Sequence, residues 1–164
     1  MKKSDRKAIK RFDTLAAKYC KIIKGHKAIG RGKLISEIGR ILPSLYAAAW
    51  ELPATKKISD KSVLRGRTND EFFELFHVLQ EKLGSWDVYW FVFDPIQEKE
   101  AITQCLADDL ADVYYDLRSY LSAVADGARL EDAVWELRLA YESHWGRHLT
   151  SALRVIHDLR YSDA

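Results

Sequence analysis

One helical stripe constrains this chain more than any other feature. Leu130, Val134, Leu137, Tyr141, His144, His148, Ala152, Val155 and Leu159 recur only at threes and fours. At ~100° per residue these side chains share one helix face. The opposite face carries Trp135, Leu139, Leu149 and Leu153, and Gly146 leaves room for a close neighbour. A helix apolar on both sides packs on more than one side, so it is expected at the centre of the fold. His144 and His148 sit one turn apart in the middle of the stripe, and imidazoles at such positions need polar partners.

The remaining segments supply helices to pack around it. Residues 5–24 place Ile9, Phe12, Ala16, Tyr19 and Ile23 on one face and lysines on the other, ending at Gly25. Residues 34–51 repeat the pattern with Leu34, Ile38, Ile41, Leu45 and Ala48, and Pro43 predicts a kink or a break. Residues 54–67 are polar, basic and aperiodic, which predicts a long, exposed and mobile loop. Thr68 with Glu71 forms a capping box for a third helix carrying Phe72, Phe76, Leu79 and Leu83, closed by Gly84.

The run from Trp86 to Phe93 has strand-like propensity, but no second run of its kind is evident. An isolated strand is not stable, so an extended aromatic connector is expected there. Asp94-Pro95 reads as the capped start of a fourth helix reaching about Ala125, with Ile102, Leu106, Leu110, Val113, Leu117, Leu121 and Val124 as its stripe. The expected fold is therefore all-α: one domain over residues 1–164, a bundle of five or six helices, with flexible ends at about 1–5 and 161–164. Short links make helices three to five antiparallel neighbours.

Charge is divided unevenly along the chain. Residues 1–67 hold 18 Lys/Arg against 5 Asp/Glu, whereas residues 68–164 hold 8 against 19. Such a split suits a polyanion or an acidic protein partner. It equally suits two halves that neutralise each other, within one chain or in a homodimer. Lys21, Lys24, Lys27, Arg31 and Lys33, around a glycine-rich turn, are the candidate anion contacts, although that turn lacks P-loop spacing. No apolar run approaches the ~20 residues of a membrane helix, and no secretory leader is visible. Cys20 and Cys105 have no metal or redox spacing and are expected as free buried thiols, which fits a cytoplasmic protein.

The segment Asp108-Asp109-Leu110-Ala111-Asp112-Val113-Tyr114-Tyr115-Asp116 can answer the histidines. On a helical wheel Asp109 lies ~60–70° and Asp116 ~90° from the stripe centre, with Asp112 further round and Asp108 facing away. Asp109, Asp112, Asp116, His144 and His148 are thus the candidate polar cluster. His144, His148 and Asp109, with Asp112 beside them, have the ligand types that suit a divalent metal. An Asp–His hydrogen-bond network that fixes helix register would use the same residues. Arg138 and Arg147 are candidate partners for the aspartates. His26, His77 and His157 are read as solvated. No complete metalloprotease or di-metal bundle motif is present, because residues 144–148 read His-Trp-Gly-Arg-His and Glu142 lies two residues before His144, where the bundle motif needs three. No Ser/His/Asp or Cys/His nucleophile arrangement is set by local spacing either.

Four segments together resemble a known family: Leu42–Tyr46, Tyr89–Pro95, Leu106–Tyr114 and His144–His148. They are similar to a bacterial family catalogued as domain of unknown function 5063, over about Tyr19 to Leu159. The resemblance implies a small cytoplasmic helical protein and assigns no catalytic residue. Two functions are therefore expected. The first is a non-enzymatic interaction module with a basic N-terminal half. The second is a metal-dependent, hydrolase-like enzyme using the Asp/His cluster.

Overall fold

The structure, a computed structural model, describes residues 1–92, 96–97 and 100–161. The elements in chain order are α1 (Lys3–Lys24), α2 (Arg31–Trp50), α3 (Asn69–Leu83), β1 (Val88–Phe91), β2 (Ile102–Cys105), α4 (Leu106–Ala125), α5 (Leu130–Ala140) and α6 (Gly146–Tyr161). A π turn, Tyr141–Trp145, joins α5 to α6 without a break. The result is a predominantly helical single bundle with one two-stranded ribbon. Among the described residues, no helix is long and apolar enough to cross a membrane.

The apolar stripes of α1 and α2 are buried as their spacing requires. Phe12, Tyr19, Leu34, Leu45 and their neighbours reach essentially zero exposure, and a side chain of that kind contributes ~1.5–3 kcal/mol when fully buried. α2 runs as one helix through Pro43, so of the expected kink or break the break does not occur. Thr68 Oγ1 accepts from the Glu71 N–H, and the Glu71 carboxylate accepts from the Thr68 N–H, which completes the capping box of α3.

The helix at the centre is α4 and not the histidine-bearing one. α1, α3, α5 and α6 all pack on it. Leu106 to Tyr115 are buried on nearly every face, Asp108 excepted. On α5, by contrast, Leu139 is half exposed and Trp135 only partly covered. Two tyrosine hydroxyls tie α1 to α4: Tyr19 donates to Leu110 O (2.9 Å) and Tyr120 to Asp13 Oδ1 (2.8 Å).

The aromatic run does find a partner. Val88–Phe91 pairs antiparallel with Ile102–Cys105, in the register Val88↔Cys105 to Phe91↔Ile102. The second strand, Ile-Thr-Gln-Cys, was absorbed into the sequence-expected fourth helix. That helix begins instead at Leu106, and Ile102 is a half-exposed strand residue outside its stripe. Asp94 and Pro95 lie outside the described residues. The cap of α4 comes from a distant residue: Asp87 O and Oδ1 accept from the Leu106 and Ala107 N–H groups at 2.8 and 2.7 Å. A buried aspartate is well placed at a helix N-terminus, where backbone N–H groups lack partners.

The basic segment 54–67 has no regular structure, yet it is held down by the acidic half. Glu136 accepts from Ser62, Val63 and Leu64 and pairs with Lys57 at 2.9 Å. Asp132 accepts from the Ile58 N–H at 2.6 Å. The two free cysteines differ, Cys20 being buried and Cys105 only half-buried.

Candidate metal centre

The two candidate histidines and the aspartates of α4 meet along one line of contact. His144 Nδ1 lies 2.8 Å from Asp116 Oδ2, and His148 Nδ1 lies 2.8 Å from Asp109 Oδ1. A carboxylate only accepts, so each Nδ1 carries the proton and donates it. Both Nε2 atoms then turn toward Asp112. They lie 3.8 Å (His144) and 3.4 Å (His148) from its carboxylate oxygens. Asp112 is almost fully buried, whereas the His148 side chain keeps 23% and the His144 side chain 44% of its surface exposed. The pair therefore sits at the edge of the core and not inside it.

The π turn explains how both rings reach α4. Its wider winding re-aims the helix between Leu137 and Leu149, and such turns are frequent at functional sites. Gly146 permits the winding: a Cβ there would come within 2.4 Å of Tyr141 O and 2.9 Å of the Tyr141 ring. Trp145, fully buried, bridges the turn by donating its Nε1–H to Leu137 O at 3.2 Å.

Each of the three convergent residues is oriented by a partner. Asp116 holds His144. Asp109 holds His148 and in turn accepts the Tyr89 hydroxyl at 2.6 Å. Arg67 donates through Nη1 to Asp112 Oδ1, and its guanidinium stacks 3.8 Å from the Phe72 ring. Neither Arg67 nor Tyr89 was identifiable from the sequence, because one ends an aperiodic loop and the other sits in an aromatic run. Asp108 was placed wrongly. It does not face away, since its Oδ2 comes within 4.0 Å of His148 Nδ1.

Four carboxylates (Asp108, Asp109, Asp112, Asp116) thus surround two imidazoles and one guanidinium. Burial pushes Asp109 and Asp108 above the usual carboxylate range, Asp109 despite its hydrogen bonds from His148 and Tyr89. Burial alone would lower His148, but the Asp109 hydrogen bond and the field of Asp112, Asp109 and Asp108 raise it. The His148 shift reports the negative field of the three aspartates, a field that also favours a bound cation.

Among the described residues, two trios have ligand atoms within 4.8 Å of one another: Asp112, His144, His148 and Asp108, Asp109, His148. The first has the better geometry. Ligand atoms ~2.0–2.1 Å from a tetrahedral ion are separated by about 3.3 Å, near the spacings found on Asp112. In the second trio, 2.8 Å between His148 Nδ1 and Asp109 is a hydrogen bond, not the spacing of two ligands around an ion.

His144, His148 and Asp109 line the floor of a cleft of about 970 Å³ between β1 and α6, with Tyr89, Trp90 and Phe91 on one side and Arg147, Thr150 and Arg154 on the other; Asp112 lies behind the histidines and does not line it. Arg138 does not reach the aspartates and pairs with Glu142 at 3.4 Å. The candidate anion contacts lie elsewhere. Lys21, Lys24, Lys27 and Lys33 are exposed, whereas Arg31 donates to Leu83 O at 2.9 Å and stacks on Trp86. His77 and His157 are exposed, but His26 is buried, with Nδ1 2.8 Å from Ile23 O.

A family model described as Domain of unknown function (DUF5063) matches residues 3–162. No curated protein matches the chain. Among solved structures, protein BF1032 from Bacteroides fragilis, a structural-genomics target, is similar with a TM-score of 0.84 at 26% sequence identity, covering 96% of this chain and 95% of that one.

Proposed function

The chain belongs to the DUF5063 family, a domain of unknown function, and since membership fixes no chemistry we propose from the site itself a divalent-metal-dependent enzyme of hydrolase type. Asp112, His144 and His148 are its ligands. One observation carries the reading: both Nδ1 atoms donate to carboxylates while both Nε2 atoms converge on a third carboxylate. With the rings neutral, the Nε2 lone pairs face oxygen lone pairs, an arrangement that a cation between them would satisfy. The carboxylate–histidine pairs match the outer shell found around bound metals, where it fixes tautomer and ring orientation. A purely structural network would place an Nε2–H at ~2.7–3.2 Å from its acceptor, and neither Nε2 is that close.

Three protein ligands suit a catalytic site better than a structural one, which uses four. A divalent ion held there would supply Lewis-acid character and a lowered pKa for bound water. The chain's own residues position the ligands: Asp116 and Asp109 hold the rings, Tyr89 holds Asp109, and Arg67 fixes Asp112 through Oδ1, the oxygen on the His144 side, leaving Oδ2 to face His148 Nε2.

Titration of chelator-treated protein with zinc, manganese and iron(II) tests this. One ion per chain is expected, with at least a hundredfold loss of affinity in His148→Ala and in Asp112→Ala. Stoichiometric binding to none of the three ions would end the reading.

A second reading rests on α1. Lys7, Lys10, Lys18, Lys21 and Lys24 are exposed, and none is in an ion pair among the described residues. The acidic half does not neutralise this face, which supports a polyanion or acidic protein as partner. Such binding weakens steeply with salt. No binding to heparin or duplex DNA at low salt would remove the polyanion branch.

A further inference from the structure

We infer that the cleft above His144 and His148 takes an organic oxyanion, a phosphate ester or a carboxylate, whose body is aromatic. The inference rests on the metal reading for the floor of the cleft and adds the class of molecule that lies on it. Its own ground is the two walls.

The α6 wall is cationic. Arg147 and Arg154 both line the cleft, two turns apart on one helix face. Arg154 donates through Nη2 to Trp90 O at 3.0 Å, and its Nη1 lies a loose 3.6 Å from the exposed Asp158. A guanidinium carries five N–H donors in a planar fork. Among the described residues, those two contacts leave donors of Arg154 for a ligand. The carbonyl bond meanwhile fixes the fork against the strand.

The β1 wall is aromatic. Tyr89, Trp90 and Phe91 line the cleft, and Trp90 is 69% exposed although it lies on a regular strand. The one acidic lining residue, Asp109, is already bonded to His148 and Tyr89. A ligand therefore meets no free carboxylate among the described lining residues, the remaining donors of Arg154 and flat apolar surface. Oxyanions suit planar guanidinium forks, and aromatic bodies suit exposed indole faces. The volume, about 970 Å³, is ample for such a molecule.

The test uses the full chain loaded with zinc. Phenyl phosphate, benzoate and benzyl alcohol are titrated calorimetrically into the wild type, Arg154→Gln and Trp90→Ala. At least one of the two anions is expected to bind, with benzyl alcohol tenfold weaker or worse. Arg154→Gln should weaken the anion about tenfold while leaving zinc affinity within twofold, and Trp90→Ala should weaken it several-fold. Preference for phenyl phosphate assigns a phosphate ester, and preference for benzoate assigns a carboxylate. Binding of neither anion, or equal binding by Arg154→Gln and wild type, overturns the inference. If zinc itself does not bind, the same titration is run on the metal-free chain. Arg154-dependent anion binding there would keep this inference and remove the metal reading, and its absence would remove both.

Discussion

Asp112 has a neighbour on each oxygen, and the two ask for different things. Arg67 engages Oδ1 as a fixed donor, while Oδ2 faces the Nε2 atom of His148. The consequences of single substitutions follow from that division. Asp116→Asn and Asp109→Asn keep the shape of the carboxylate but present an amide that can turn its NH₂ toward Nδ1. The ring then loses its fixed tautomer. Loss of such an outer partner typically costs 10- to 100-fold in metal affinity, and that range is expected for each variant in a zinc competition assay. Asp109→Asn should have the larger effect, because its single amide oxygen cannot accept from both His148 and Tyr89, whereas Asp116 answers His144. If both variants bind zinc as tightly as the wild type, the carboxylates do not act through the rings.

At the level of elements, the amphipathic helices were legible because their spacing alone decides which face is buried. α1 and α3 needed nothing more than period and caps, and the stripe of α2 was legible in the same way although its continuity through Pro43 was not. The boundary of α4 was not legible, because its cap, Asp87, comes from across the ribbon and not from the preceding residues. β2 was missed for a related reason: Ile-Thr-Gln-Cys becomes a strand only beside Val88–Phe91. The meeting of His144 and His148 with Asp109 and Asp116 was visible from helical phase. The roles of Arg67 and Tyr89 depend on long-range placement that periodicity does not encode. Two expected outcomes belong to this scale. Gly146→Ala should destabilise the protein and weaken zinc binding together, since a Cβ would meet the Tyr141 backbone at 2.4 Å inside the turn that aims His144. A thermal melt and a zinc titration on one sample check both. The segment 54–67 should loosen in acid. Burial raises Glu136, but hydrogen bonds from Ser62, Leu64, Lys57 and Val63 outweigh it and hold Glu136 below its ordinary value of 4.5. A depressed carboxylate contributes stability that is present above the unfolded value and lost as pH falls through the folded one. Proteolysis within 54–67 should therefore accelerate below about pH 4.5 in the wild type. In Glu136→Gln it should be faster at neutral pH and nearly independent of pH over that range.

For the whole molecule, the centre lies where three separate parts of the chain meet: α4, the π turn with α6, and the end of the basic loop at Arg67. An ion bound there links all three, so binding and global stability are coupled. A ligand present at a hundred times its Kd stabilises the folded state by ~2.7 kcal/mol. For a chain of this size that corresponds to a rise in melting temperature of about 5–10 °C. The same geometry makes the metal-free protein self-repelling, because Asp108 and Asp109 are both raised by burial and by neighbouring carboxylates. Asp108→Asn removes one of the four charges without removing a ligand of the favoured trio. It should raise the melting temperature of the metal-free protein and shrink the increment that zinc adds. A structural Asp–His network responds differently: removing Asp108 would weaken the field that raises His148, and zinc would add no increment in either protein. Melting curves of wild type and Asp108→Asn, each with and without zinc, separate the two. Opposite movement of the metal-free value and the zinc increment is the signature of a site whose charge was arranged for an ion.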